Sequence, residues 1–291
     1  MINKLTRLNT AFFLTLSTSL WLFGRAWQHL FWETPYREFL WNGKLMAKPI
    51  KWFFNMSWNE YMTNPTSDIV IEWISYSLGF VFLITSFIIW FKKQLRLVNT
   101  LVVTSLILQL PYIWLHFLGY AFNTLQLFEF ALQIGTPVAL LLVINQKITT
   151  KRLINYLAII IAATYTAHGL YAMNVLPLPQ SFIQMTITGF GVSNDVAKQI
   201  LWCAGLLDVL LSIALFFPSP INKWALRYAI AWGFATAFAR IYCNVYAFDF
   251  WNSLSQWHFQ FLVRNAHFMM PILLLHLVTV VNKNNKQHFN R

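Results

Sequence analysis

Apolar runs of about 20 residues, the length a helix needs to cross a bilayer, alternate with short polar stretches along most of the chain. Eight such runs are predicted: Leu8–Trp32, Ile69–Phe91, Leu97–Leu118, Thr124–Asn145, Leu153–Met173, Val196–Phe217, Ala225–Asn244 and Ala266–Val281. The last is short and is expected to begin earlier, near His258. The connections are unequal. One set is tight and basic. Two on the other side are long, Glu33 to Ser67 and Asn174 to Asp195. A third, Val245 to Asn265, is dense in aromatic residues, among them Tyr246, Phe248, Trp251, Trp257 and Phe261. That density reads first as a belt at the membrane interface and second as a lid over a pocket. Leu176-Pro-Leu-Pro179 predicts a rigid turn, and Ser193 with Asp195 predicts the N-cap and first turn of the sixth run.

The two halves resemble each other. His29-Leu-Phe-Trp32 closes the first run and His168-Gly-Leu-Tyr171 the fifth. Gly79, Ser86 and Phe91 match Gly205, Ser212 and Phe217 at one offset, and Gln133 with Pro137 matches His267 with Pro271 at another. The expected fold is therefore all-α: an integral membrane bundle of about eight helices, built as two four-helix repeats over residues 1–150 and 151–291. An even number of spans per repeat makes the repeats parallel, related by an axis along the membrane normal.

Composition agrees. Of 291 residues, 58% are hydrophobic and 10% charged, where a soluble domain carries about 25% charged residues. The net charge of +12 is not spread as a nucleic-acid footprint would be. With the N-terminus on one side, that side receives thirteen basic residues, from Lys4 and Arg7 to Lys286 and Arg291, and no acidic one. The opposite side mixes Arg37, Lys44, Lys48, Lys51, Lys198 and Arg264 with six acids. The positive-inside rule then places both termini in the cytoplasm. The first run is long and contains Arg25, so it reads as a retained helix rather than a cleaved signal. Cys203 and Cys243 are the only cysteines and form no CxxC. The P-loop, GxGxxG, GxSxG and HExxH patterns are also missing.

Ionisable groups inside the runs are expensive in lipid and point to protein-facing or functional positions. Arg25, His29 and Glu33, each four residues from the next, fall within an arc of about 80° on a helix. Glu72, His116, Glu129, Gln133, His168, Arg240, Arg264 and His267 also lie toward the external ends of their runs, and Asp208 lies near mid-membrane. Read as structure, these are buried pairs such as Arg25 with Glu72 or Glu129, and Arg240 with Asp208. Read as a site, they line an outward-facing polar pocket. There Arg25 and Arg240 anchor an acidic or carbonyl group, and His29, Glu33, His168 and Asp208 are the candidates for proton exchange. The one-sided placement favours the site.

The quoted residues, above all Ala167-His-Gly-Leu-Tyr-Ala172 and Gly191-Val-Ser193 with Gly205-Leu-Leu-Asp208, give the chain a resemblance to the DoxX-like group of small four-helix membrane proteins. That group is similar to the methylamine-utilisation protein MauE and to the HTTM membrane domain of vitamin K-dependent carboxylase. The resemblance, and it alone, implies a cell (inner) membrane as the location. It also implies a helical bundle and, through founding members tied to quinone-linked thiosulfate oxidation, a quinone or other small amphipathic redox molecule as ligand. Haem or a metal ion ranks below it, for lack of a local ligand motif. The cysteine pairs of some redox-linked relatives are absent. The alternatives are a non-catalytic subunit or assembly factor of a membrane complex, and a small-molecule transporter around Asp208. The expected partners are the lipid bilayer, a small ligand and other membrane subunits.

Overall fold

The computed structural model describes residues 4–32, 34–91, 94–119 and 124–289. Among these every element is helical. Helix α1 spans Lys4–Phe31; α2, α3 and α4 span Tyr36–Leu40, Gly43–Phe54 and Trp58–Thr63; α5 and α6 span Pro65–Ile88 and Leu95–Gly119. Then follow α7 (Leu125–Glu129), α8 (Ala131–Ile144), α9 (Thr150–Ala172), α10 (Gln180–Phe190), α11 (Asn194–Ala214), α12 (Ile221–Tyr242), α13 (Phe250–Val263) and α14 (Ala266–Phe289). Five helices among the described residues are long and apolar enough to cross a membrane: α5, α6, α9, α11 and the run Ala247–Asn282 that holds α13 and most of α14. This is the mark of an integral membrane protein. Helix α8 is apolar, but its 14 residues reach only about 21 Å.

Local chemistry sets the helix starts. Ser193 accepts from the Val196 amide at the head of α11, as its sequence position predicts. The long connections are not plain loops. Residues of the first fold into α2, α3 and α4, and the second contains α10. Ser57 and Glu60 form a reciprocal capping box on α4. In the aromatic connection Phe248 and Trp251 are 90% and 78% exposed, as suits an interfacial belt, whereas Phe259 is buried.

Packing divides the chain into two units, Met1–Trp21 with Leu125–Arg291, and Leu22–Thr124. In the larger unit α9 is central and packs against α7, α8, α11 and α14. Its core joins Leu14 to Leu132, Leu140, Leu157, Ile161, Leu226 and Met270, all buried. Close approach comes from small residues. A Cβ on Gly233 of α12 would lie 2.5 Å from the His267 carbonyl oxygen and 2.5 Å from the Tyr165 hydroxyl. Only glycine admits α14 and α9 there. In the smaller unit α5 packs on α6, and α2 on both. Gly79 of α5 meets the last turns of α1, where an added Cβ would fall 2.8 Å from Leu30.

Candidate functional site

The larger unit holds a partly open cavity of about 410 Å³. Its walls come from α9, α10, α11, α12 and the start of α14. Most of the lining is aromatic or small, including Phe182, Trp232 and Ala204. Five of the residues singled out from the sequence also line it: His168, Asp208, Arg240, Arg264 and His267.

Each of these side chains is held by a nameable contact. Tyr165, one turn before His168, shares its hydroxyl proton between the Ala229 carbonyl at 2.8 Å and the His267 carbonyl at 3.0 Å. This ties α9 to α12 and α14 at the cavity. Phe182 stacks on His168 with centroids 6.0 Å apart. The Arg240 guanidinium lies 5.8 Å from the same Phe182 ring, within cation–π reach. The Arg264 guanidinium donates to Gln260 at 2.6 Å.

Asp208 is 4% exposed, and a carboxylate so placed needs donors. It accepts from the Tyr228 hydroxyl and the Trp232 indole, each at 3.3 Å. These donors sit four residues apart on α12, so one helix face supplies both. Sequence reading missed them. Among 14 Trp and 11 Tyr no local signal singled out this pair, although the i, i+4 spacing facing a deep acid fits once α12 is known to lie beside α11.

The imidazoles are connected. His168 Nε2 lies 3.3 Å from His267 Nε2. On the far side His168 Nδ1 lies 3.3 Å from a Glu129 carboxylate oxygen. His267 Nδ1 lies 3.0 Å from the Arg264 carbonyl. Gln133, one turn after Glu129 in sequence, accepts from the Trp21 indole at 3.3 Å.

The remaining sequence candidates belong to the smaller unit. Arg25 is 3% exposed; it donates to Gln28 at 2.9 Å and lies 4.1 Å over the Tyr112 ring. His29 donates through Nδ1 to the Arg25 carbonyl at 2.7 Å and faces the Tyr36 hydroxyl at 3.3 Å through Nε2. Burial pushes the Tyr36 hydroxyl up to about 12, so it stays protonated and donates to His29. His116 packs on Tyr112 at 4.6 Å. Glu72, offered as a partner for Arg25, pairs instead with Arg37, which also pairs with Asp68. Glu33 lies outside the described residues. Among the described residues no cluster of three His, Cys, Asp or Glu side chains is placed to hold a metal ion.

Comparison with protein families, characterised proteins and solved structures finds no match for the chain.

Proposed function

We infer that this chain is a polytopic membrane protein of about eight spans that binds a small amphipathic molecule, with a quinone as the leading candidate. The observation that carries the reading is the cavity itself. One partly open, apolar and aromatic cavity of about 410 Å³ gathers His168, Asp208, Arg240, Arg264 and His267. Small-molecule sites are of this kind, about 300–1,000 Å³ and mostly apolar with a few convergent polar groups. The guanidinium groups suit a carbonyl or acidic head, the aromatic wall a flat ring, and the imidazoles proton exchange.

His168 and Arg240 close their runs at the ends that the charge rule puts outside the cell, so the site opens outward. The two-repeat layout draws support from aligned pairs in contact. Gly79 meets Leu30, and Gly205 meets Gly169, the residues one step beyond His29 and His168. The layout and the polar outer ends keep the DoxX-like assignment as the family proposal.

The test is chemical. Gently purified protein is examined by ultraviolet–visible spectroscopy before and after dithionite, and its solvent extract is analysed for quinones and other amphiphiles. Wild type is expected to carry one such molecule, depleted in Ala204→Trp, which fills the cavity. An extract with the same content in both proteins sinks the reading.

A further inference from the structure

The protons of the imidazole chain can be counted from its geometry. Glu129 to His168 Nδ1 is 3.3 Å, His168 Nε2 to His267 Nε2 is 3.3 Å, and His267 Nδ1 to the Arg264 carbonyl is 3.0 Å. Facing lone pairs repel at these distances, so each contact holds one proton. A carbonyl only accepts, so His267 Nδ1 carries a proton. In the neutral ring His267 Nε2 then accepts, and His168 Nε2–H donates to it. That leaves His168 Nδ1 facing Glu129, and the third proton sits between them, on the carboxyl or on the ring. Two neutral imidazoles and a carboxylate supply only two protons. The closed chain therefore holds one more and is neutral overall.

A fourth proton cannot be accommodated in the closed arrangement. Both Nε2 atoms would carry hydrogen and face each other. They would have to part and turn to an acceptor. The two histidines line the cavity, so an oxygen placed there can take both donors.

We propose that the polar end of the cavity's ligand is an oxygen acceptor, a carbonyl or a carboxylate, held by the Nε2–H groups of both His168 and His267, and that its binding takes up one proton from solvent. The proposal rests on the reading that the cavity binds an amphiphile, and it specifies the head group. The balance is simple. One proton adds to a ring nitrogen, the chain passes from neutral to a single positive charge, and no other bond is made or broken. The charged groups around the pair are Asp208 on α11, Arg240 on α12, and Arg264 before α14. Tyr165, Tyr242 and Cys243 are the other titratable lining residues. Two guanidinium groups against one carboxylate leave the lining cationic. Once the fourth proton is on, a carboxylate head gains more from it than a neutral carbonyl does.

Full-length protein in detergent is titrated calorimetrically with dodecanoate and with a short-chain benzoquinone, each in two buffers of different ionisation enthalpy. The expected result is uptake of one proton per bound probe. The better-binding probe separates a fatty-acid-like head from a quinone. His168→Gln and His267→Gln are each expected to abolish the uptake and to weaken binding by about tenfold or more. Glu129→Gln keeps a hydrogen bond to His168 but removes the charge that favours the imidazolium. It is expected to move proton uptake to lower pH with the fold retained. Binding without proton uptake in wild type, or binding unchanged in both histidine variants, overturns this proposal and leaves the cavity reading standing. Failure of both probes to bind wild type overturns the cavity reading beneath it. Nitrogen-15 spectra of histidine-labelled, ligand-free protein give an independent check. One proton shared between the two Nε2 atoms is expected, and two protonated or two bare Nε2 atoms would overturn the count.

Discussion

Gly169 and Gly205 face each other where α9 crosses α11, so closely that a Cβ on the first would lie 2.6 Å from the carbonyl oxygen of the second, and a Cβ on the second 2.5 Å from that of the first. In lipid, helices associate through close packing and interhelical hydrogen bonds rather than through exclusion of water, and small residues permit that approach. Here the crossing sits beside both His168 and Asp208, so it also sets the spacing of two cavity walls.

Gly205→Ala is therefore expected to push the helices apart, with a loss of about 1–3 kcal/mol typical of overpacking. Thermal unfolding in detergent, followed by tryptophan fluorescence, measures it. Gly119→Ala at the end of α6, where a Cβ meets nothing within 4 Å, is the matched control and should leave the transition nearly unmoved. Equal effects at the two positions would show that backbone freedom, not the crossing, is responsible.

Asp208 receives its two hydrogen bonds from neutral donors on α12. Asp208→Ala strands the Trp232 N–H and the Tyr228 hydroxyl, and an unsatisfied buried donor costs about 1–3 kcal/mol. Asp208→Asn keeps an acceptor for one of them and should lose less. The same unfolding assay ranks the variants, and the Trp232 emission should shift in both. An alanine variant as stable as wild type would mean that water replaces the carboxylate.

The pH response of α4 has a definite sign. Hydrogen bonds from the Ser57 backbone and side chain hold the Glu60 carboxyl below its usual range. A group whose folded value is depressed stabilises above its unfolded value and loses that effect as pH falls through the folded one. The capping box should therefore protect the Ser57 and Glu60 amides at neutral pH and weaken as pH falls through and below the ordinary glutamate range. Hydrogen exchange of those amides against pH measures this. Glu60→Gln, which keeps the hydrogen bond without the charge, should flatten the profile.

The long helices could be read from the sequence because lipid imposes length and apolarity on any span, as in α5, α6, α9 and α11. The short helices could not. Helices α2, α4 and α7 have five or six residues each, too few for a periodicity to emerge. Helix α10, which supplies Phe182 to the cavity, is hidden in a stretch whose prolines advertise a turn. Depth along the membrane normal is also encoded, since charge and run length mark the ends. That is why His168, Arg240, Arg264 and His267 could be grouped in advance. Lateral order is not encoded in hydropathy. Nothing in the run pattern said that Arg25 and His29 pack with Tyr112 and Tyr36, or that Glu129 meets His168.

Topology is the remaining prediction, and it bears on the direction in which the cavity opens. Thirteen basic residues and no acid fall on the side assigned to the cytoplasm, and Lys and Arg in short loops are what the insertion machinery reads. Each charge retained inside favours that orientation, while the acids balanced against bases on the other side contribute little. Reporter fusions after Lys147 and Lys223 are thus expected to report a cytoplasmic position. A fusion within Asn174–Pro179, just before α10, should report the opposite side. Agreement of all three would put α10, which lines the cavity with Phe182, toward the outer surface. External reports from the first two fusions with a cytoplasmic report from the third would invert the unit and make the same cavity open inward.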